Sequence, residues 1–236
     1  MLSILAKAGE VGAIWPRWRP RLDRVFLATW ITLFGAIAIT AAAADDGVQT
    51  EPPAVTSDDL VGRAVLVEPD GPNSHDQSFS GTVIWRTEPI EPGGRPDEIA
   101  IHADIDVPHK FKVTVSLRRN SDKNLAASHF VELAFRPAPE FEGSGIYGVP
   151  GILMKRSEQA RGTPLASTTA KRSDGTFVVR MSNYEADRNR NLILLRSMPW
   201  LDIPILYGDQ RRVVLTIEKG VSGSAAFLAV LEVPSH

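Results

Sequence analysis

Residues 99–117 read IAIHADIDVPHKFKVTVSL. Ile99, Ile101, Ala103, Ile105 and Val107 alternate with Ala100, His102, Asp104 and Asp106, a period of two that marks a half-buried strand. After Pro108-His109-Lys110, the residues Phe111, Val113, Val115 and Leu117 alternate with Lys112, Thr114 and Ser116. Two such strands across a short turn predict an antiparallel hairpin. Its polar face would set Asp104 and Asp106 near Lys112 and Thr114, a favourable cross-strand arrangement.

The same pattern recurs on both sides. Strands are expected over 63–68 and 80–87 before the hairpin. After it they are expected over 130–135, 146–154, 165–170, 176–181, 203–207 and 212–218. Two helices interrupt the series. Ser182 and Glu185 have capping-box spacing, and Leu192, Leu195 and Met198 would share one face of a helix ending before Pro199. A closing helix is expected over 222–231, with Ser222 as N-cap and Phe227 and Leu231 as anchors. Many short strands at regular spacing predict a mainly β fold. The expected form is an antiparallel β-sandwich or partly open barrel with two short helices.

Upstream lies VFLATWITLFGAIAITAAAA, residues 25–44, with no charge for 20 residues. That is about the length a helix needs to cross a bilayer's hydrocarbon core. Lys7, Arg17, Arg19, Arg21 and Arg24 precede it and Asp45-Asp46 follow it. A basic flank stays in the cytoplasm, so residues 1–24 are expected there and the C-terminal part is expected in the periplasm. The run reads as an uncleaved anchor in the inner membrane. The alternative is a secretory signal cut after Ala44, since Ala42-Ala43-Ala44 fits a small-residue site. Residues 45–59, with Pro52-Pro53, read as a tether to a domain over 60–236.

The chain has no cysteine, which excludes disulfides, thiol catalysis and thiolate metal sites. Five of its 26 Lys/Arg and two of its 28 Asp/Glu precede residue 45, which leaves the remainder with a formal charge of −5. A mildly acidic exported domain has little with which to neutralise phosphates, so no nucleic-acid partner is expected.

Several motifs invite a chemistry. Gly143, Gly145 and Gly148 match G-x-G-x-x-G, but dinucleotide binding needs a helix after the motif, and Val149-Pro150-Gly151 cannot open one. The segment reads instead as a mobile glycine loop that could bind a partner, with Tyr147 offering contact area and a hydroxyl. Arg211 and Arg212, with Lys171-Arg172 and Arg188/Arg190, could form a local basic surface. His102, Asp104, Asp106 and His109 have metal-ligand chemistry. Same-face strand positions stand about 7 Å apart, however, so a solvated face paired with Lys112 and Arg118 is the expected arrangement. Gly220-Val221-Ser222-Gly223-Ser224 approaches a nucleophile elbow, with Ser224 in place of the last glycine. No cofactor, metal or catalytic residue is expected from these patterns.

The pieces SHFVELAF (128–135), GIYGVPGILMK (145–155), RGTPLA (161–166) and DIPILYGDQRRVVLTIEKG (202–220) resemble a segment of membrane-anchored envelope proteins from alphaproteobacteria. That family carries no assigned activity, so the resemblance implies a compartment and no site residue. The order of helix, two strands and Gly-then-Phe helix over 192–227 is also loosely similar to the invasion-associated locus B family of exported β-rich proteins. This chain lacks the cysteines common there.

The expectation is a membrane-tethered periplasmic binding or scaffolding module for an envelope protein partner. Its contacts would be Gly143, Gly145, Tyr147, Gly148, Arg211 and Arg212. The alternative is an envelope hydrolase using Ser222.

Overall fold

The computed structural model describes residues 60–69, 76–90 and 99–231. The chain divides into two units, Met1–Thr50 and Glu51–His236, and all described residues belong to the second. The expected cytoplasmic segment, anchor and tether (1–24, 25–44 and 45–59) lie outside the described residues. Among the described residues, no helix is long and apolar enough to cross a membrane.

The chain builds β1 (Val61–Glu68), β2 (Gln77–Pro89), β3 (Ile99–Val107), β4 (Phe111–Arg119) and β5 (His129–Pro137) in succession. The short strands β6 (Ile146–Gly148), β7 (Leu153–Lys155) and β8 (Thr163–Pro164) follow, then β9 (Ser167–Ser173) and β10 (Thr176–Met181). Helix α1 (Glu185–Ser197), strands β11 (Trp200–Tyr207) and β12 (Arg212–Glu218), and helix α2 (Gly220–Leu231) complete it. The strands form one antiparallel sheet in the order β8-β7-β11-β12-β1-β2-β3-β4-β5-β10-β9, with β6 also on β11.

The hairpin at 99–117 forms in the expected register. Asp106 faces Lys112 with 2.6 Å between their charged atoms, and Thr114 Oγ1 donates to Asp104 Oδ1 at 3.2 Å. Ile101, Ala103, Ile105 and Val107 are buried, as are Phe111, Val113, Val115 and Leu117. This alternation gives the sheet one apolar face, and a single sheet hides that face by curling over it.

The connectivity requires the curl. The path ends at β8 and β9, which are consecutive strands joined only by Leu165 and Ala166. Pro164 and Ser167 are three Cα steps apart, so they lie within about 11 Å of each other. The two ends of the sheet must therefore meet at that corner. The result is an open half-barrel, one continuous sheet rather than the two packed sheets of a sandwich.

Both helices pack against the curled sheet. Phe227 of α2 meets Trp85 of β2 edge-to-face at 5.4 Å, and Trp85 Nε1 donates to the Glu218 carbonyl at 2.8 Å. Gly223 allows this approach, because a Cβ there would fall 2.8 Å from Trp85 Cδ1. Leu194 and Leu195 of α1 are buried in the same core.

Local expectations differ from the structure at four places. The expected strand over 146–154 is two short strands, because Val149-Pro150 interrupts it and proline lacks the N–H a ladder needs. The expected strand over 165–170 begins at Ser167, since Leu165 turns into the core. The capping box does not form. Tyr184 is the N-cap of α1, with no side-chain capping bond, and Ser182 Oγ accepts from the Tyr184 N–H at 3.3 Å. Finally, α2 starts at Gly220, so Ser222 lies inside its first turn instead of capping it.

Candidate binding site at the seam of the sheet

The glycine segment lies where the sheet fails to close. Phe141 packs edge-to-face on Tyr207 at 4.9 Å, and Gly143 passes directly over this pair. A Cβ on Gly143 would fall 2.3 Å from Phe141 Cζ and 2.8 Å from Tyr207 Cδ2, so only glycine fits. Ser144 and Gly145 then turn the chain at φ 55° and 83°, in left-handed backbone space. The Gly208 N–H donates to the Gly145 carbonyl at 2.9 Å and the Asp209 N–H to the Gly143 carbonyl at 3.3 Å. Ile146–Gly148 continues as β6 on β11, pairing Ile146 with Tyr207 and Gly148 with Leu206.

The expected mobile loop is thus tied to the β11–β12 turn along its length. It leads into a strand and then Val149-Pro150, so no helix N-terminus stands beside the glycines. Gly143 and Gly145 shape the loop. Tyr147 points outward, 61% exposed.

Beneath the loop lies a charged knot that local sequence patterns do not reveal. Glu68, only 5% exposed, accepts from the Tyr207 hydroxyl at 2.8 Å. Its other oxygen accepts from Lys110 Nζ at 3.0 Å and from the Arg211 guanidinium at 3.3 Å. Arg211 Nε also donates to Asp209 at 2.8 Å. A buried carboxylate is tolerated when its lone pairs are satisfied in this way. Burial, and then the bond to the Glu68 carboxylate, pushes the Tyr207 hydroxyl above its ordinary pKa, so it stays protonated as the donor. Arg211 therefore serves the fold, while Arg212 beside it is exposed on β12. The four groups come from β1, the β3–β4 turn, the end of β11 and the following turn, so no local motif marks them.

Across from β6 stands the β9–β10 hairpin. A cleft of about 400 Å³ separates the two, with Gly145 and Tyr147 on one side and Lys171, Asp174 and Gly175 on the other. Phe135 and Pro137 at the end of β5 also line it. Lys171 and Asp174 pair at 2.8 Å. Strand β9 ends the sheet path, and among the described residues it hydrogen-bonds to β10 alone, so its second edge is unpaired there. Of the residues singled out from sequence, Gly145, Tyr147 and Lys171 line this cleft. Gly143 and Gly148 hold the loop that forms it, and Arg211 and Arg212 lie outside its wall. Asp174 and Gly175 join it, and Lys171 comes to face Tyr147, through a fold contact that sequence spacing could not show.

The other candidates disperse onto separate partners. His102 lies 3.5 Å from Glu88, Asp104 bonds Arg86 and Thr114, Asp106 bonds Lys112, and His109 Nδ1 lies 2.8 Å from Glu140. Among the described residues, no group of three His, Asp or Glu is placed to hold a metal ion. Arg118 stacks 5.1 Å over the Phe130 ring rather than joining the acidic face. The proposed basic surface is also split, since Arg172 pairs with Glu132 and Arg190 donates to the Pro164 carbonyl.

Ser222 Oγ donates to the Leu60 carbonyl at 3.3 Å, and no imidazole adjoins it among the described residues. The positive φ of the strand-to-helix turn falls on Gly220, at 59°. A nucleophile elbow places its serine at that strained turn, and here the serine is two residues further on.

Comparison with family models, with curated proteins and with solved structures finds no match to this chain. The functional reading rests on the geometry of the seam.

Proposed function

We propose that this protein is a non-catalytic binding or scaffolding module of the cell envelope. Residues 25–44 would hold it to the inner membrane, and the domain would take up an extended segment of a protein partner at the seam. The observation that carries the reading is the unpaired edge of β9 beside a cleft whose opposite wall presents the exposed Tyr147. An added strand would satisfy the free backbone groups of β9, and the cleft would receive its side chains. Lys171, Arg172 and the bulge near Thr176 guard one half of β9 against indiscriminate pairing. Lys171 faces the cleft, and the small, uncharged residues Ser167 to Ala170 continue the strand from there back to the joint with β8.

Deleting the loop would also remove β6 and its bonds to β11, so the clean test is truncation of one exposed side chain. Full-length tagged protein, wild type or Tyr147→Ala, is cross-linked in intact cells, and co-purifying proteins are identified by mass spectrometry. The expected result is a reproducible partner with the wild type, reduced about tenfold by Tyr147→Ala, as for an exposed aromatic anchor. Equal recovery by the two forms, or no partner with either, would overturn the seam as the binding surface.

A further inference from the structure

At the end of β5 opposite the seam, β4 and β5 meet the first turns of α1 around a pocket of about 380 Å³. Arg119, Arg188, Asn183 and Asn189 stand in its wall, together with Ser128 and His129. His129 is 4% exposed, and its Nε2 has no hydrogen-bond partner among the described residues. Ser128 Oγ, from the adjacent residue, is buried and unpartnered as well. Buried polar atoms are nearly always satisfied, and one pocket wall containing two neighbouring exceptions points to a missing partner.

The chemistry of the wall states what that partner would be. Arg119 and Arg188 supply positive charge, and the exposed Arg188 offers a planar N–H fork suited to an oxyanion. Two carboxamides and the serine hydroxyl add neutral donors. Burial, with Arg119 and Arg188 nearby, lowers the His129 pKa to about 4, so the ring is neutral at pH 7 and can donate from Nε2. The acids of the first turn of α1, Glu185 and Asp187, are not part of the wall. Ala127 and Leu192 give it an apolar portion, and its volume exceeds that of one phosphate. Room therefore remains for the group that carries the phosphate.

We infer that the pocket formed by Arg119, Arg188, Asn189, Ser128 and His129 binds a phosphate group, borne by a small molecule or by a lipid headgroup. This site lies apart from the seam and stands whether or not the seam takes a partner.

The test follows the His129 imidazole resonances by NMR in the full-length protein in detergent, assigned with His129→Gln. Inorganic phosphate, glycerol phosphate and phosphatidylglycerol, the last as mixed micelles with the detergent, are added in turn, with ionic strength held constant by chloride. At least one probe should shift the His129 signals saturably and raise the pH at which they titrate, because an anion offsets the two arginines. Arg188 is exposed, so Arg188→Gln keeps the fold, and it should weaken that binding about tenfold or more, with Arg188→Lys restoring part. Ser128→Ala should weaken it less. Saturation with glycerol phosphate alone assigns a soluble source, and saturation with phosphatidylglycerol micelles alone assigns a lipid. No saturable shift with any probe, or equal binding by Arg188→Gln, would overturn the proposal.

Discussion

Lys219 is 1% exposed, yet among the described residues no carboxylate pairs with its ammonium. It donates to the Leu195 carbonyl, one of the last acceptors of α1, and lies 4.1 Å over the Phe227 ring. A cation at a helix C-terminus and over an aromatic face is favourable, but burial opposes the charge and lowers the Lys219 pKa to about 8. The unfolded chain keeps its proton until near pH 10.5. Between these values the unfolded state holds more protons than the folded one, so stability rises with pH across the window. Urea unfolding at fixed points from pH 7 to 10.5 should show a gain of about 3 kcal/mol that Lys219→Met lacks. Parallel pH profiles for the two proteins would show that Lys219 does not titrate in the window. In the sequence Lys219 is an ordinary charged residue between a strand and a glycine. Its burial follows from where α1 ends, which no local pattern around Lys219 encodes.

Elements were legible where their hydrophobic period ran for several residues. Ile99 to Leu117 displays both strands and the register of β3 on β4, because one face of each is buried. Strands β6 and β7 have three residues each, too few to show a period, and Val149-Pro150 between them reads as continuous with their apolar residues. Ser182 and Glu185 had the right spacing for a capping box, but the helix begins at Glu185 itself, so the reciprocal bond has no frame. In the sequence the glycines at 143 and 145 read as a mobile loop, and nothing local shows that it is held against Tyr207 and Gly208. This clamp predicts a sharp effect of a single methyl group. Gly143→Ala must displace the Phe141 ring from Tyr207 or lift the loop, at a cost of about 1–3 kcal/mol. Hydrogen exchange should accelerate at the amides of Gly208 and Asp209, which bond the loop, beyond any change in the β3–β4 hairpin. Unchanged exchange at those two amides would show that the clamp tolerates a side chain.

At the scale of the whole molecule, the mainly β class was visible in the sequence because alternation is local. The path of the sheet was not, because it depends on pairings such as β1 with β12 and β5 with β10, between segments far apart in the chain. The same holds for the joint where the sheet ends meet. There Asn191, 1% exposed on α1, accepts from the Ala166 N–H at 2.9 Å and donates to the Ala166 carbonyl at 3.0 Å. One carboxamide thus bonds both backbone groups of a residue that joins β8 to β9, and the Ala166 carbonyl also accepts from the Ser182 N–H at 2.9 Å. Asparagine is a poor residue for a helix interior, and its place here is explained by this two-way bond. If the clasp holds the ends of the half-barrel together, Asn191→Leu keeps the volume but strands the Ala166 N–H, while the carbonyl keeps its bond from the Ser182 N–H, costing about 1–3 kcal/mol. Asn191→Asp keeps an acceptor for the N–H but sets a carboxylate against the carbonyl, so it should be no better. Exchange at β8 and β9 should rise before the rest of the sheet, since these strands then become free ends. Wild-type stability in Asn191→Leu would mean that packing alone joins the ends and that the two hydrogen bonds add nothing.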